Sequence, residues 1–530
     1  MRKALVALYL LVLLFSCKKT VVEEVEGDSF RISILPVQML GFDQYKFSGS
    51  LDLRHTADHV EYGLLVSKSV NPTLENGMKF AIGQSQGSID FVKEVTGLDT
   101  GAVYYVRAYA SSKTSIQYSS NQTIGKVSPS IYAANTDLNF GRPITIICNL
   151  PKLNANSSVK VFLNETPIVI TSMSNGIAET VITAEIPDQL TPGTYTLSLS
   201  VNNMKISSKA PMKLYEGRWD KIDGPQGRQL WLGQPSDFFV SNDWIYTNTF
   251  VYTSSGYYAA FLKYNYKTKE AVRLKHFDGI SGLAEASFVQ QGNLLHFLCG
   301  NSDVWETKGH YVYNTTADSW TREADFPGRA RQAAVSILAN NKIYFGMGYS
   351  PYRLAQKDLE AFVDMWSYDL STKVWAKQSP FPQAGGKVHN GSFTIGTKLY
   401  VVSGTSGTPV DGSENPPGET WCYDTTTDKW SRKADYPGSG AINLSSFAIG
   451  NIGYAGMGEE RTYNSYEGRA GAGDFYKYEP EKDKWTEISH LPVAVYSPAS
   501  GTSNNTALVV GTNDSHSYPT FDLFVFKPQK

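Results

Sequence analysis

Cysteine is scarce in this chain, four in 530 residues. One of them, Cys17, closes the N-terminal apolar run. That leaves Cys148, Cys299 and Cys422, an odd set without a Cys-x-x-Cys spacing. Such a set argues against a disulfide framework or a metal knuckle. Each lies in an apolar stretch and reads as a buried free thiol. Charge of one sign is missing too: 48 Lys plus Arg face 50 Asp plus Glu, a net charge of −2. Nothing in that balance argues for nucleic-acid binding. No window keeps a helical period. After residues 4–15 no apolar stretch approaches membrane length. No P-loop and no His-Glu-x-x-His zinc signature occurs. His276, His296, His310, His389, His490 and His516 form no recognisable ligand pair. Asp411–Asn415 lacks the alternating acids of an EF-hand loop, and His55 and His59 read as surface residues. No metal or cofactor is expected.

Aromatic residues are plentiful, at 13% with 32 Tyr, and they are periodic. Tyr313, Tyr368, Tyr423 and Tyr478 stand 55 apart. Trp320, Trp375, Trp430 and Trp485 keep the same step, as do Pro327, Pro382, Pro437 and Pro492. A period near 50 residues marks a stacked or radial repeat. Within each unit the runs are short, aromatic and β-branched, with Gly, Pro, Asn and Asp between them, which predicts four strands per unit. A four-stranded sheet that cannot bury both faces alone must stack on its copies. Radial closure also protects the strand edges, so a β-propeller is predicted. The units resemble the Kelch family in a glycine-ended second strand, a Tyr-Asp at the third strand, and a Trp about seven residues later. The family's Gly-Gly doublet is degraded here to Gly346-Met347-Gly348, Gly404 and Gly456-Met457-Gly458.

Counting units gives blades near 237–277, 278–327, 328–382, 383–437 and 438–492. Residues 493–530 hold only three strands. Gly217–Asp223, with Trp219, resembles the outer strand around Trp485 and supplies the fourth. The fold class expected is all-β: two immunoglobulin-like β-sandwich domains, then a six-bladed Kelch-like β-propeller, 216–530, closed by an N-terminal strand. Residues 30–127 resemble a fibronectin type III sandwich, since Leu98 and Tyr104 sit as in a tyrosine corner. Residues 128–215 resemble a TIG (IPT) domain through Asn164 and the Ile186-Pro187 to Pro192-Gly193-Thr194-Tyr195 segment. Such modules imply spacers or adhesion units.

At the N-terminus, Arg2 and Lys3 precede the apolar run and small residues follow it, the layout of a secretory signal in 1–17. Leu14-Phe15-Ser16-Cys17 resembles a bacterial lipobox, which implies lipidation of Cys17 and attachment to a membrane. Residues 18–29 are polar and read as a tether, similar to those of outer-membrane lipoproteins in Bacteroidetes-type bacteria.

Function is expected on the loops between second and third strands and on the links between blades, which in Kelch-like propellers share one face. Scaffolded loops carry function. They bring Arg331, Tyr349, Tyr352, Arg353, Lys387, His389, Asn443, Arg461, Tyr463, Tyr466 and Arg469. Aromatic faces stack on sugar rings, and Arg pairs with carboxylates in two-pronged fashion. The expectation is a non-catalytic binding or adhesion surface for a glycan or a cell-envelope or host protein; the same residues also read as ordinary solvated loop composition. The alternative is a propeller enzyme on acidic sugars that resembles N-acetylneuraminate epimerases, with Glu459, Glu460 and Arg461 as candidates for proton transfer.

Overall fold

The computed structural model describes residues 29–40, 44–55, 59–99, 101–126, 130–149, 158–175, 179–201, 204–222, 238–253, 256–277, 285–302, 305–350, 360–384, 386–388, 390–404, 418–438, 443–458, 473–493, 496–512 and 521–528. Every regular element among them is a strand. From Phe238 onward, five sheets of four antiparallel strands follow in chain order, each running first to fourth without a crossover. Their second strands are Trp244–Thr253, Leu294–Leu298, Lys342–Gly346, Lys398–Val402 and Ile452–Gly456. The architecture is that of a β-propeller.

The periodic residues are the packing of this frame. Tyr313, Tyr368, Tyr423 and Tyr478 are fully buried in the third strands. Each Trp indole reaches back to the preceding sheet: Trp320 to the Lys275 carbonyl, Trp375 to Ala324, Trp430 to Ser379 and Trp485 to Ala434, at 2.7–3.1 Å. Tyr313, Tyr423 and Tyr478 donate their hydroxyls to Asp318, Asp428 and Asp483 at 2.6–2.7 Å. Those three aspartates also accept the backbone N–H of Lys275, Ser379 and Ala434. At these three joints the Tyr, the Trp and the Asp thus clamp one sheet to its neighbour, and the aromatic pairs add about 0.5–1.5 kcal/mol each beyond burial.

The degraded glycine doublet has a geometric explanation. The two residues after the second strand are both left-handed: Cys299 and Gly300 at φ 60° and 89°, Met347 and Gly348 at 58° and 77°, Ser403 and Gly404 at 55° and 83°. A doublet of glycines would adopt this freely. A side chain at the first position costs about 1–2 kcal/mol, and Cys299 and Met347 offset it by complete burial. At the second position nothing larger fits: a Cβ on Gly348 would lie 2.5 Å from the Gln332 carbonyl oxygen.

A further sheet joins the two ends of this region. Tyr496–Ser503, Thr506–Thr512 and Phe521–Lys527 are its first three strands, and Met212–Ile222 pairs with Phe521–Lys527 in the fourth position, Trp219 opposite Phe526. The Trp219 indole donates to the Ser489 carbonyl at 2.8 Å, the bond the periodic tryptophans make. Trp219 therefore completes their series from the other end of the chain.

The same strand ties in what precedes it. Its first residues pair with Asp137–Phe140 and with Gly193–Tyr195, so the expected boundary at 215/216 falls inside one continuous strand. Arg142 donates to the His490 carbonyl at 2.6 Å, Lys213 pairs with Glu487 at 2.8 Å, and Arg218 pairs with Asp188 at 3.1 Å. Residues 130–207 form two four-stranded sheets over a core of Ile146, Val161, Leu163, Ile182, Leu197 and Leu199. Residues 29–124 form a four-stranded and a five-stranded sheet over Phe30, Phe47, Leu64, Val66 and Val106. There Tyr104 is buried, and its hydroxyl accepts the Asp99 N–H five residues upstream at 3.2 Å, the bond a tyrosine corner makes. Cys148, Cys299 and Cys422 are buried and free, and burial pushes the Cys148 and Cys299 thiols up to about 12.

Candidate functional site

The links between sheets and the ends of the long loops meet on one rim. Gln332 and Tyr349 exchange backbone hydrogen bonds at 2.9 and 3.0 Å, and the Gln332 amide donates to the Tyr349 hydroxyl at 2.7 Å. Tyr349, Ala361 and Val388 form a small apolar layer with Ala333 against it. The rim is the one on which the loop candidates were expected.

Arg331 lies within this rim, not on top of it. Its side chain is 1% exposed. It grips Asp364 with two prongs, Nη1 to Oδ1 at 2.6 Å and Nη2 to Oδ2 at 2.9 Å. It also donates to the carbonyls of Met347 and Arg329. The guanidinium sits over the rings of Phe326 and Phe362, 4.7 and 4.3 Å from their centroids. Planarity lets it serve the carboxylate edge-on and the rings face-on. Burial pushes the Asp364 carboxyl up, and Arg331 with the Trp366 indole more than offsets this, so it lies below the usual carboxylate range.

The next sheet repeats the device with different residues. Lys387 is fully buried and its Nζ lies 3.0 Å from Glu419 Oε2. Glu419 also accepts from the Gln383 amide at 3.0 Å and the Trp421 indole at 3.5 Å. Burial raises the Glu419 carboxyl and Lys387 lowers it, with a net fall. Asn443 follows at the matching place, half-buried at φ 54°. Arg331 and Lys387 therefore face the protein's own carboxylates, and Tyr349 is 7% exposed. Tyr352, Arg353, His389, Arg461, Tyr463, Tyr466 and Arg469, like Glu459 and Glu460, lie outside the described residues.

Sequence reasoning passed over the acidic half of this device, although its signal was present. Asp364, Glu419 and Asp474 keep the step of 55, each two residues before Trp366, Trp421 or Tyr476. A carboxylate that recurs with the packing residues belongs to the frame. One further motif was missed: Gly83-Gln84-Ser85-Gln86-Gly87 has the Gly-x-Ser-x-Gly spacing. Ser85 ends a strand, and its hydroxyl donates to the Gly87 carbonyl at 2.7 Å. A nucleophile elbow needs a helix after the serine, and here a short turn leads into strand Ile89–Thr96 of the other sheet. Among the described residues no three His, Cys, Asp or Glu converge as a metal site, and no helix is long and apolar enough to cross a membrane.

Comparison with known proteins gives relatives at low identity. No family model matches. An N-acetylneuraminate epimerase from Yersinia enterocolitica is 23% identical over 198 residues, 37% of this chain and 43% of that protein. Mouse Kelch-like protein 35 is 20% identical over 240 residues, 43% of this chain and 36% of that protein. The chain thus spans less than half the length of either relative. A solved structure of YjhT aligns over 55% of this chain and 93% of its own length, at 16% identity and a TM-score of 0.45. The repeat, the sheets and the Kelch-type relatives together support a Kelch β-propeller.

Proposed function

We propose that this chain is a lipid-anchored cell-envelope protein that binds a glycan or protein ligand without catalysis. In this reading Cys17 carries the lipid on the outer membrane, and 18–29 are its tether. Residues 30–127 and 128–215 are fibronectin type III-like and TIG-like sandwiches, and 216–530 are a six-bladed propeller. The observation that carries the reading is the contrast on one rim. Pairs with a buried cation, such as Arg331–Asp364 and Lys387–Glu419, tie the frame together, while the loops after Gly348, Gly404 and Gly458 share no sequence with one another. A rigid frame under divergent loops is how binding surfaces are built. With Arg331 and Lys387 committed to the frame, the candidates that remain for a ligand are Tyr349 and Asn443 together with Tyr352, Arg353, His389, Arg461, Tyr463, Tyr466 and Arg469, which lie outside the described residues.

The test is a glycan and envelope-protein array with the native protein and a Tyr352→Ala/Arg353→Ala/Arg461→Ala variant. The native protein captures a ligand and the variant loses it at least tenfold. Equal capture by both removes the loop rim from the reading. Palmitate labelling that persists in Cys17→Ala removes the anchor. A second reading, turnover of an acidic sugar, is favoured by the similarity to an N-acetylneuraminate epimerase. It predicts deuterium incorporation into N-acetylneuraminate or its epimer in heavy water, and an unchanged NMR spectrum sinks it.

A further inference from the structure

The opposite rim carries the tight turns between first and second strands and between third and fourth. There the joint between the third and fourth propeller sheets is sealed. The Asn340 amide donates to Thr425 Oγ1 at 3.3 Å, and the Tyr344 hydroxyl donates to the Thr425 carbonyl at 3.4 Å. Thr425 in turn donates its N–H and its hydroxyl to the Thr397 carbonyl, at 3.1 and 2.8 Å.

The next joint has the same layout with the seal removed. Gly396 stands where Asn340 stood, in the same left-handed conformation, φ 58° against 51°. Pro480 stands where Thr425 stood, without N–H or hydroxyl. A Cβ built on Gly396 would meet nothing within 4 Å. What remains is a cleft of about 530 Å³ between the two sheets, in the size range of small-ligand sites. Ile395, Ile452 and Pro480 give it aliphatic walls over a Tyr400 floor, and Lys398, Asn451, Glu479, Glu481 and Lys482 supply polar groups.

We propose that this cleft is a second binding site, for a neutral sugar. The charges on its lining balance, Lys398 and Lys482 against Glu479 and Glu481. Lys482 lies 2.7 Å from Glu479 and holds its carboxyl below the usual range. The fourth sheet contributes Lys398 and the fifth contributes Lys482 with both carboxylates, so an anionic ligand meets as many carboxylates as cations. Hydroxyl groups suit the lining better: they donate to the carboxylates and accept from the ammonium groups, and Asn451 can do both. The C–H face of a pyranose covers the aliphatic wall. The site is independent of the loop rim.

The experiment is saturation-transfer NMR with maltose, cellobiose and diacetylchitobiose as probes and free N-acetylneuraminate as the anionic control. Three proteins are compared. In Gly396→Asn/Pro480→Thr the seal of the neighbouring joint is rebuilt, with Asn in a backbone conformation it tolerates. The Tyr352→Ala/Arg353→Ala/Arg461→Ala variant isolates the loop rim. At least one neutral probe binds the native protein and the loop variant equally. The sealed variant binds it at least tenfold more weakly, with a melting temperature within a few degrees of native. A more conservative Gly396→Asn gives the same direction should the double variant fold poorly. Absence of neutral-probe binding, equal binding by the sealed variants, or tighter binding of N-acetylneuraminate in the cleft overturns the proposal.

Discussion

The second and third propeller sheets meet differently from the fourth and fifth. In the later joint Tyr400 of one sheet packs on Tyr478 of the next, ring centroids 5.5 Å apart, and Asp483 takes both the Tyr478 hydroxyl and the Ala434 N–H. In the earlier joint His296 replaces the tyrosine that the other second strands carry as Tyr246, Tyr344, Tyr400 and Tyr454. His296 Nδ1 lies 3.0 Å from His310 Nε2, both rings are buried, and the outward nitrogen of each has no hydrogen-bond partner. His310 stands edge-on to Tyr368. Lys373 holds the place of the aspartate, and Glu323 of the preceding sheet takes both Lys373 Nζ and the Tyr368 hydroxyl at 2.9 Å. The frame thus tolerates a reversed charge when its partner reverses too. What it gains in the earlier joint is sensitivity to acid.

Four measurements would break or sharpen that comparison. The largest effect belongs to the joint that Trp219 makes with the fifth sheet. Trp219→Ala costs about 3–5 kcal/mol in denaturant unfolding, as does Trp485→Ala, because both remove a buried indole. A cost near zero for Trp219→Ala shows that the closing strand does not seal its joint as the periodic ones do.

Second comes pH. Burial holds His296 down at about 4, and burial with His296 beside it holds His310 down at about 3, from an ordinary 6.5. Unfolded, both take up protons below about 6.5; folded, they resist until pH 4 and 3. Their contribution is therefore complete above pH 6.5 and is lost as pH falls through 4 to 3. Stability falls with pH across this window because the unfolded chain binds both protons there and the folded chain does not. His296→Tyr/His310→Phe restores the residue types of the fifth sheet, Tyr454 and Phe475, and flattens the dependence; an unchanged slope assigns it to the frame's carboxylates.

Third, Asp483→Ala removes two charge-assisted hydrogen bonds from an exposed turn and costs about 1–2 kcal/mol, read as a lowered melting temperature. Glu323→Ala in the earlier joint costs about the same if the two devices are equivalent. The smallest effect is the swap itself. Lys373→Asp sets a carboxylate against Glu323 and costs up to about 1 kcal/mol. Adding Glu323→Gln, the residue type of Gln378 one unit on, recovers it; a double variant no better than the single one separates the two positions.

The periodic half of this comparison was readable in advance. Tyr, Trp and Pro at a step of 55 declared the repeat, and Trp219 was matched to them although the chain separates it from Trp485. Its bond to Ser489 bears the match out. The rim was read less well. Arg331 and Lys387 looked like groups offered to a ligand, because a cation next to glycine in a loop reads the same whether it turns outward or inward. The partner that decides is Asp364 or Glu419, more than thirty residues on, and nothing local announces it.

The sequence by itself determined what repeats: an all-β chain, the strand order within each unit, and the aromatic positions that every joint uses. These follow from local alternation, turn chemistry and a fixed period, and each is written within one unit. Only the tertiary structure decided which groups are hidden and which joints are open. It buried Arg331 and Lys387, set His296 against His310, and left the cleft beside Gly396. The buried cations depend on a link and a distant loop end, the cleft on two sheets, and the histidine pair on two strands of one sheet closed over by the next. Burial and charge pairing are properties of a neighbourhood, and that neighbourhood exists only once the sheets have packed.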